Sequence, residues 1–234
     1  VWIAAQAQGT SPGPRVWRSG DNGNSWSIVY SNTNPPSWYY TVHGGAGDTT
    51  WNVSAGGTNT TRITSTTDGV SGSYTNTTAA VSAVATASIY RATGTVWISG
   101  TSTGVIKRST DNTTYTTVYT AAPAAAINGI ADSGSVFVTV GDTGTIRRST
   151  DGGLTWTTAT SGTTVNLECV YYGGGYFMAC GASGTVLTSP DGNTWTTLAS
   201  GVTTNLLSSF YNPVSNEWWI FGVSGVSRKV TGPT

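Results

Sequence analysis

The chain has 234 residues, with ten Lys+Arg balanced by ten Asp+Glu, and only 9% of its residues are charged, against about 25% in an average globular protein. So sparse and balanced a charge excludes the electrostatic footprint of a nucleic-acid or acidic-membrane partner, and with no apolar run of membrane-spanning length no transmembrane helix is expected. Thirty-one Gly beside abundant Thr, Ser and Asn would suit a disordered chain, but ten Trp and eleven Tyr argue for a packed core. The composition reads as that of an extracellular or virion-surface protein. The opening Val1-Trp-Ile-Ala, without Met or a basic segment, reads as a removed leader or a fragment.

Taken in order, the chain repeats itself. The first repeat (about 1–36) has the apolar run Val1-Trp2-Ile3, then Arg15-Val-Trp-Arg18, then the turn-rich Ser19-Gly-Asp21-Asn-Gly23-Asn-Ser-Trp26. The second (37–79) begins with a further run, Trp38 to Val42, followed by Trp51-Asn-Val53 and a worn turn around Asp68 and Tyr74. The third (80–121) has Ala87 to Arg91, Val96-Trp97-Ile98, a glycine-bounded turn Gly100-Thr-Ser-Thr-Gly104, Val105-Ile-Lys-Arg108, and Ser109-Thr-Asp111-Asn-Thr-Thr-Tyr115. In the fourth (122–161) the same places hold Ile127 to Ala131, Val136-Phe137-Val138, Gly141-Asp-Thr-Gly144, Thr145-Ile-Arg-Arg148 and Ser149-Thr-Asp151-Gly-Gly153-Leu-Thr-Trp156. The fifth (162–201) has Leu167 to Tyr172, Tyr176-Phe177-Met178, Gly181-Ala-Ser-Gly184 and the shortened Ser189-Pro-Asp191-Gly-Asn-Thr-Trp195. The sixth (202–234) has Leu206 to Tyr211, Trp218-Trp219-Ile220, Gly222-Val-Ser-Gly225 and the run holding Arg228 and Lys229. Helix is nearly absent from this reading, because no window holds a 3.6-residue apolar period, and the Pro-interrupted stretch Ala121 to Ala126 reads as a connection.

Each Asp-containing turn lies between two β-forming runs, which is the pattern of a hairpin. Asp151 is suited to fold its carboxylate onto turn N–H groups, and Ser149 to do so more weakly. Gly153 admits a positive φ, and Trp156 lays a large apolar surface across a hairpin that would hardly hold by itself.

Two intact copies, one shortened copy and two degenerate ones resemble the Asp-box (BNR) repeats of sialidases, sortilin-type receptors, photosystem II assembly factors and phage and bacterial surface proteins. The resemblance spans essentially the whole chain. It implies an all-β fold, a single β-propeller of six four-stranded blades. The box would lie on the hairpin between strands C and D, counting A to D outward from the axis. It also implies that Ser19, Asp21, Gly23, Trp26, Asp68, Ser109, Asp111, Tyr115, Ser149, Asp151, Gly153, Trp156, Ser189, Asp191 and Trp195 are structural. A period of about 40 residues suits one four-stranded blade. The runs supply strand A five times, B six, C six and D five, so that the first blade lacks A and the last lacks D.

No catalytic residues are assigned. A sialidase needs an arginine triad, a Tyr/Glu pair and an Asp acid, whereas this chain has two Glu, Glu168 and Glu217, and eight Asp, five of them in boxes. Arg15-Val-Trp-Arg18 stands where such enzymes have an Arg-Ile-Pro signature. A paired-carboxylate glycosidase would need a second acid opposite Glu168, and none has a claim. His43 is the single histidine, so neither a His-based triad nor a His-based metal site is expected. Asp21-Asn-Gly-Asn lacks the other ligands of a calcium loop. No metal or cofactor is expected.

Binding remains. Arg18, Arg108 and Arg148 each precede a box serine and Lys229 takes the same place in the last repeat, while Lys107, Arg147 and Arg228 lie one residue earlier and so face the other side. These sets read either as a surface for an anionic glycan or acidic partner, or as edge protection. Trp17, Trp38, Tyr39, Tyr40 and Trp218 fall out of step with the repeat and are candidates for stacking on sugars; core filling is the other reading. If Tyr172 pairs with Phe177, the same register sets Cys169 opposite Cys180, as a disulfide in an extracellular setting or as two buried thiols. The sequons at Asn52, Asn59, Asn76 and Asn112 are expected by chance. The expected function is a non-catalytic binding or structural module on a virion (phage tail, fibre or decoration) or an extracellular surface, partnered by protein in a larger assembly or by a surface glycan. A secreted lectin is the alternative, and a protein-binding module like the photosystem II assembly factors is a second.

Overall fold

The computed structural model describes residues 96–111 and 114–231 in full, Ser25, and the backbone of eight strands before residue 93. It is all-β. The first sheet joins β1 (Trp2–Gln6), β2 (Arg15–Ser19) and β3 (Ser27–Ser31), and the second β4 (Trp38–His43), β5 (Thr50–Gly56), β6 (Thr61–Thr66) and β7 (Thr75–Thr78). The third comprises β8 (Ile89–Ala92), β9 (Val96–Gly100), β10 (Val105–Ser109) and β11 (Thr116–Thr120), and the fourth β12 (Ile127–Asp132), β13 (Phe137–Gly141), β14 (Ile146–Ser149) and β15 (Thr157–Ala159). The fifth holds β16 (Leu167–Gly173), β17 (Tyr176–Gly181), β18 (Val186–Ser189) and β19 (Thr196–Thr197), and the sixth β20 (Leu206–Asn212), β21 (Glu217–Gly222) and β22 (Ser227–Val230). Each sheet is an antiparallel meander in chain order, and the first and last have three strands, the first without an A and the last without a D. Consecutive sheets meet through their first strands: β4 against β1, β8 against β4, β12 against β8, β16 against β12 and β20 against β16.

The side chains explain this stacking. Neighbouring residues on a strand point to opposite faces, and a central strand with both faces covered buries all of them. In β13, Phe137 joins Ile98, Ile106, Ile127, Ile130 and Trp156 between the third and fourth sheets, while Val138 and Val140 join Leu167, Val170, Phe177 and Leu187 between the fourth and fifth. Met178, Cys180, Leu206, Trp218 and Ile220 fill the next interface. The aromatic-centred runs of the fourth and fifth repeats are thus second strands that each feed two cores at once.

The inner strands carry a recurring irregularity. A register shift falls between Tyr39 and Thr41, Ile127 and Gly129, Leu167 and Cys169, and Leu206 and Ser208. The extra residue at each bulge is Tyr40, Asn128, Glu168 or Leu207, and a bulge of this kind re-aims one side chain without breaking the ladder. Beyond it the register runs as the sequence implied: Tyr172 stands opposite Phe177 and Cys169 opposite Cys180. The two cysteines are joined in a disulfide across β16 and β17, with Cα atoms 5.4 Å apart, which decides between the two readings left open for them.

Three of the four glycine-bounded turns form short 3-10 segments, Asp142–Gly144, Ala182–Gly184 and Val223–Gly225, in which Thr143, Ser183 and Ser224 take φ of 55°, 56° and 60°. Left-handed backbone at a β-branched residue such as Thr143 persists only where its surroundings over-determine it. Asn166 and Asn205 supply that restraint from the following sheet: the Thr143 N–H donates to Asn166 Oδ1 (3.0 Å) and the Ser183 N–H to Asn205 Oδ1 (3.2 Å). Nothing in the sequence reading marked these asparagines, although an Asn-Leu pair recurs at the start of both β16 and β20.

β15 begins one residue after Trp156, whose indole N–H is bound within the hairpin. The outermost strand of the fifth sheet is only Thr196–Thr197. The first-repeat box (Asp21, Gly23, Trp26) and the worn turn around Asp68 lie outside the described residues.

Candidate functional site

At one end of the third, fourth and fifth sheets lie the box hairpins. Ser149 Oγ donates to Asp151 Oδ1 (2.8 Å), and that carboxylate also accepts from the N–H groups of Leu154 and Thr155 (both 3.0 Å) and from the Thr155 hydroxyl (2.5 Å). Ser149 Oγ in turn accepts from the Gly153 N–H (2.9 Å), and the Trp156 indole N–H donates to the Gly153 carbonyl (3.1 Å). In the fifth repeat Ser189, Asp191, Gly192 and Trp195 repeat the arrangement, with Asp191 Oδ1 accepting from the Asn193 and Thr194 N–H groups at 2.9 and 3.0 Å. In the third, Ser109 and Thr114 hold Asp111 in the same way, while Tyr115 replaces the tryptophan and so lacks its N–H. These carboxylates are consumed by their own turns and are poor candidates for acid–base or metal chemistry.

The Thr155 hydroxyl and N–H, aided by Ser149 and Leu154, hold Asp151 down at a pKa of about 2. Its folded pKa lies below its unfolded one, so its contribution to stability is complete above about pH 4 and drains as the pH falls. Asp151→Asn does not titrate. In urea unfolding the variant is therefore expected to be less stable than the parent at neutral pH and to approach it at about pH 2.5. A gap that stays constant with pH would remove Asp151 from the acid response.

The arginines beside the boxes do something the sequence did not reveal. Arg108 Nε donates to the Gly152 carbonyl and Arg148 Nε to the Asp191 carbonyl, each at 2.8 Å. Each arginine thus clasps the box turn of the next sheet. The box glycines complete the fit: a Cβ on Gly153 would overlap Ile98 of the preceding sheet, and one on Gly192 would meet Val138 at 2.5 Å. Arg108 and Arg148, read above as ligand-binding candidates, are accordingly inter-sheet staples. Lys229 is paired with Glu217 across β21 and β22, and its ammonium, with the Ser215 hydroxyl, lowers the Glu217 pKa.

Trp218 also corrects its reading as a sugar-stacking ring. It is 2% exposed, and its ring meets Tyr171 edge-on at 6.0 Å and Tyr211 at 5.2 Å. Its neighbour Trp219 takes the opposite face, so Trp218 is the in-step core residue. Arg18 lies on β2, and Trp38, Tyr39 and Tyr40 on β4; their side chains are outside the described residues.

The opposite end of the fourth sheet is different. Because β14 and β15 are antiparallel, the start of one and the end of the other lie together, away from the box. Beside the connection from the third sheet they form a cleft of about 810 Å³, lined by Pro123, Ala125, Thr143, Arg147, Thr160 and Thr163 among others, and by no Asp or Glu. Arg147 is half-buried. Its Nε donates to the Tyr119 hydroxyl (2.8 Å) and its Nη1 to the Ile146 carbonyl (3.1 Å), with the guanidinium 5.3 Å from the Tyr119 ring centre. Arg147 belongs to the second basic set of the sequence reading. Of the others in that set, Lys107 is buried and Arg228 exposed.

Glu168, the bulge residue of β16, is half-buried, and burial together with the nearby Asp142 carboxylate raises its pKa. The Asn128 amide binds both Asp142 Oδ1 and the Leu167 carbonyl at 3.0 Å. Among the described residues no cluster of His, Cys, Asp and Glu could hold a metal ion.

No protein-family model matches the chain, and no curated protein matches it. Its structure is similar to that of YCF48 bound to D1 peptide, with 15% identity and a TM-score of 0.69 over 94% of this chain and 73% of that one. It is also similar to YCF48 from Cyanidioschyzon merolae (17% identity, TM-score 0.64, 93% and 74% of the two chains) and to Saccharomyces cerevisiae Sqt1 (14%, 0.70, 99% and 68%). These are β-propeller proteins. At such identities the likeness carries the fold alone, and with the stacked antiparallel meanders it makes this chain a β-propeller.

Proposed function

We propose that this chain is a non-catalytic, protein-binding, six-bladed propeller of the Asp-box type that serves as a docking module in a larger assembly. The observation that carries this reading is the cleft at Arg147, where a cation fixed by the Tyr119 hydroxyl lines an open cleft with no Asp or Glu in the lining. The box carboxylates, by contrast, are occupied by their own turns. Among the described residues no feature favours a virion or glycan setting, and the described aromatic that favoured sugar stacking, Trp218, is core. Protein binding is favoured further by the relation to YCF48, whose structure was determined with D1 peptide. The disulfide fits an oxidising compartment.

The test is a side-by-side screen of the purified chain on a glycan array and on an array of peptides of varied charge. Specific binding to peptides with a blank glycan array is the expected result. Glycan binding alone would overturn the reading in favour of a lectin, and turnover of a sialoside would overturn its non-catalytic part.

A further inference from the structure

Resting on that protein-binding reading, we infer that the Arg147 cleft receives an extended acidic peptide segment, with one of its carboxylates bound by the Arg147 guanidinium. Three observations on this one site agree. First, Arg147 is positioned before any ligand arrives: the Tyr119 hydroxyl takes Nε and the Ile146 carbonyl takes Nη1, so the plane of the guanidinium is set while Nη2 has no acceptor among the described residues. A planar fork held in one orientation recognises a carboxylate with less loss of side-chain freedom than a free arginine would.

Second, the charge in the cleft is uncompensated. None of its lining residues is acidic; Asp142, next to the lining residue Thr143, already accepts from the Asn128 amide, and Asp151 is held by its own turn. The neighbouring Arg148 faces the other side of β14 and is engaged with the Asp191 carbonyl, so it does not contribute.

Third, the walls suit a peptide better than a sugar. The lining combines the apolar Pro123, Ala124 and Ala125 of the connection with Thr145, Thr158 and Thr160, whose side chains each carry a methyl and a hydroxyl group. Tyr119, the aromatic ring beside the cleft, lies under the Arg147 guanidinium and is therefore covered as a stacking platform for a sugar. The volume falls within the range of ligand-binding sites. The structurally equivalent position in the fifth sheet is Leu187, which is buried, so the repeat does not supply a second copy of this site there.

The experiment uses the full chain with fluorescent peptides of equal length that are Glu-rich, Gln-rich or Lys-rich, measured by anisotropy. The parent is expected to prefer the Glu-rich peptide and to lose that preference as salt is raised. Arg147→Ala is expected to weaken this binding roughly tenfold to a hundredfold, with Arg147→Lys between the two. Arg148→Ala, which removes an equal charge from the opposite face, should leave binding within about twofold once the variant is shown to be folded. Equal binding of Glu-rich and Gln-rich peptides, or undiminished binding by Arg147→Ala, would overturn this inference and leave the protein-binding reading standing. Failure of all three peptides alongside glycan-array binding would overturn both. Acetate competing as well as the peptide, at equal carboxylate concentration, would show a site for small anions only.

Discussion

Trp156→Ala is expected to be among the most damaging single changes in the described part of the protein, lowering unfolding free energy by about 3–5 kcal/mol. The indole is 9% exposed and lies in the cluster of Ile98, Ile106, Ile127, Ile130 and Phe137, with the Phe137 ring centre 6.3 Å away. Its removal opens a cavity between the third and fourth sheets and also frees the Gly153 carbonyl from the indole N–H. Trp156→Phe separates the two effects. It keeps most of the apolar contact and loses the hydrogen bond, for which about 1 kcal/mol is expected. Urea unfolding followed by tyrosine and tryptophan fluorescence measures both variants. A loss below about 1 kcal/mol for Trp156→Ala would mean that the box tryptophan covers the hairpin without supporting the interface.

The second large effect is expected from Gly184→Ala. Gly184 has φ +70°, and a Cβ there would overlap the carbonyl oxygen of Val202. The substitution therefore combines left-handed strain of about 1–2 kcal/mol with overpacking against backbone of about 1–3 kcal/mol. Gly201 is its internal control: φ is +71°, yet an added Cβ would meet nothing within 4 Å. Gly201→Ala should therefore cost only the backbone strain, about 1 kcal/mol. If the two variants unfold at the same urea concentration, the turn of the fifth sheet can move away from the following connection, and the close approach at Val202 is not what holds it.

The two arginine sets show how far the sequence reaches. Alternation along a strand correctly divided Arg148 from Arg147, because side-chain direction on a strand is local geometry. What each set does was beyond that reading. The Arg148 acceptor is Asp191, 43 residues on, and the Arg108 acceptor is Gly152, 44 residues on. In an isolated repeat both arginines would lie on an open face of the sheet, and they become staples only when the next sheet is stacked on them. The same holds for Asn166, whose amide reaches back 23 residues to Thr143. Trp218 failed for a related reason: two adjacent tryptophans look alike in the sequence, and only the strand's facing decides which one is buried.

The sequence alone determined whatever depends on neighbours within one hairpin. The all-β class, the repeat period, the order of strands within each sheet, the Ser–Asp–Trp turn and the register that sets Cys169 opposite Cys180 all rest on contacts between residues of the same repeat. The tertiary structure decided what depends on one repeat meeting the next: the clasping of boxes by arginines, the burial of Trp218, and the cleft at Arg147, whose walls join the fourth sheet to the connections on either side of it. The division follows from the physics of a repeat fold. Turn chemistry and strand alternation are encoded locally, whereas a hydrogen-bond acceptor some 40 residues away becomes a neighbour only after the stacking of sheets has buried their shared apolar faces.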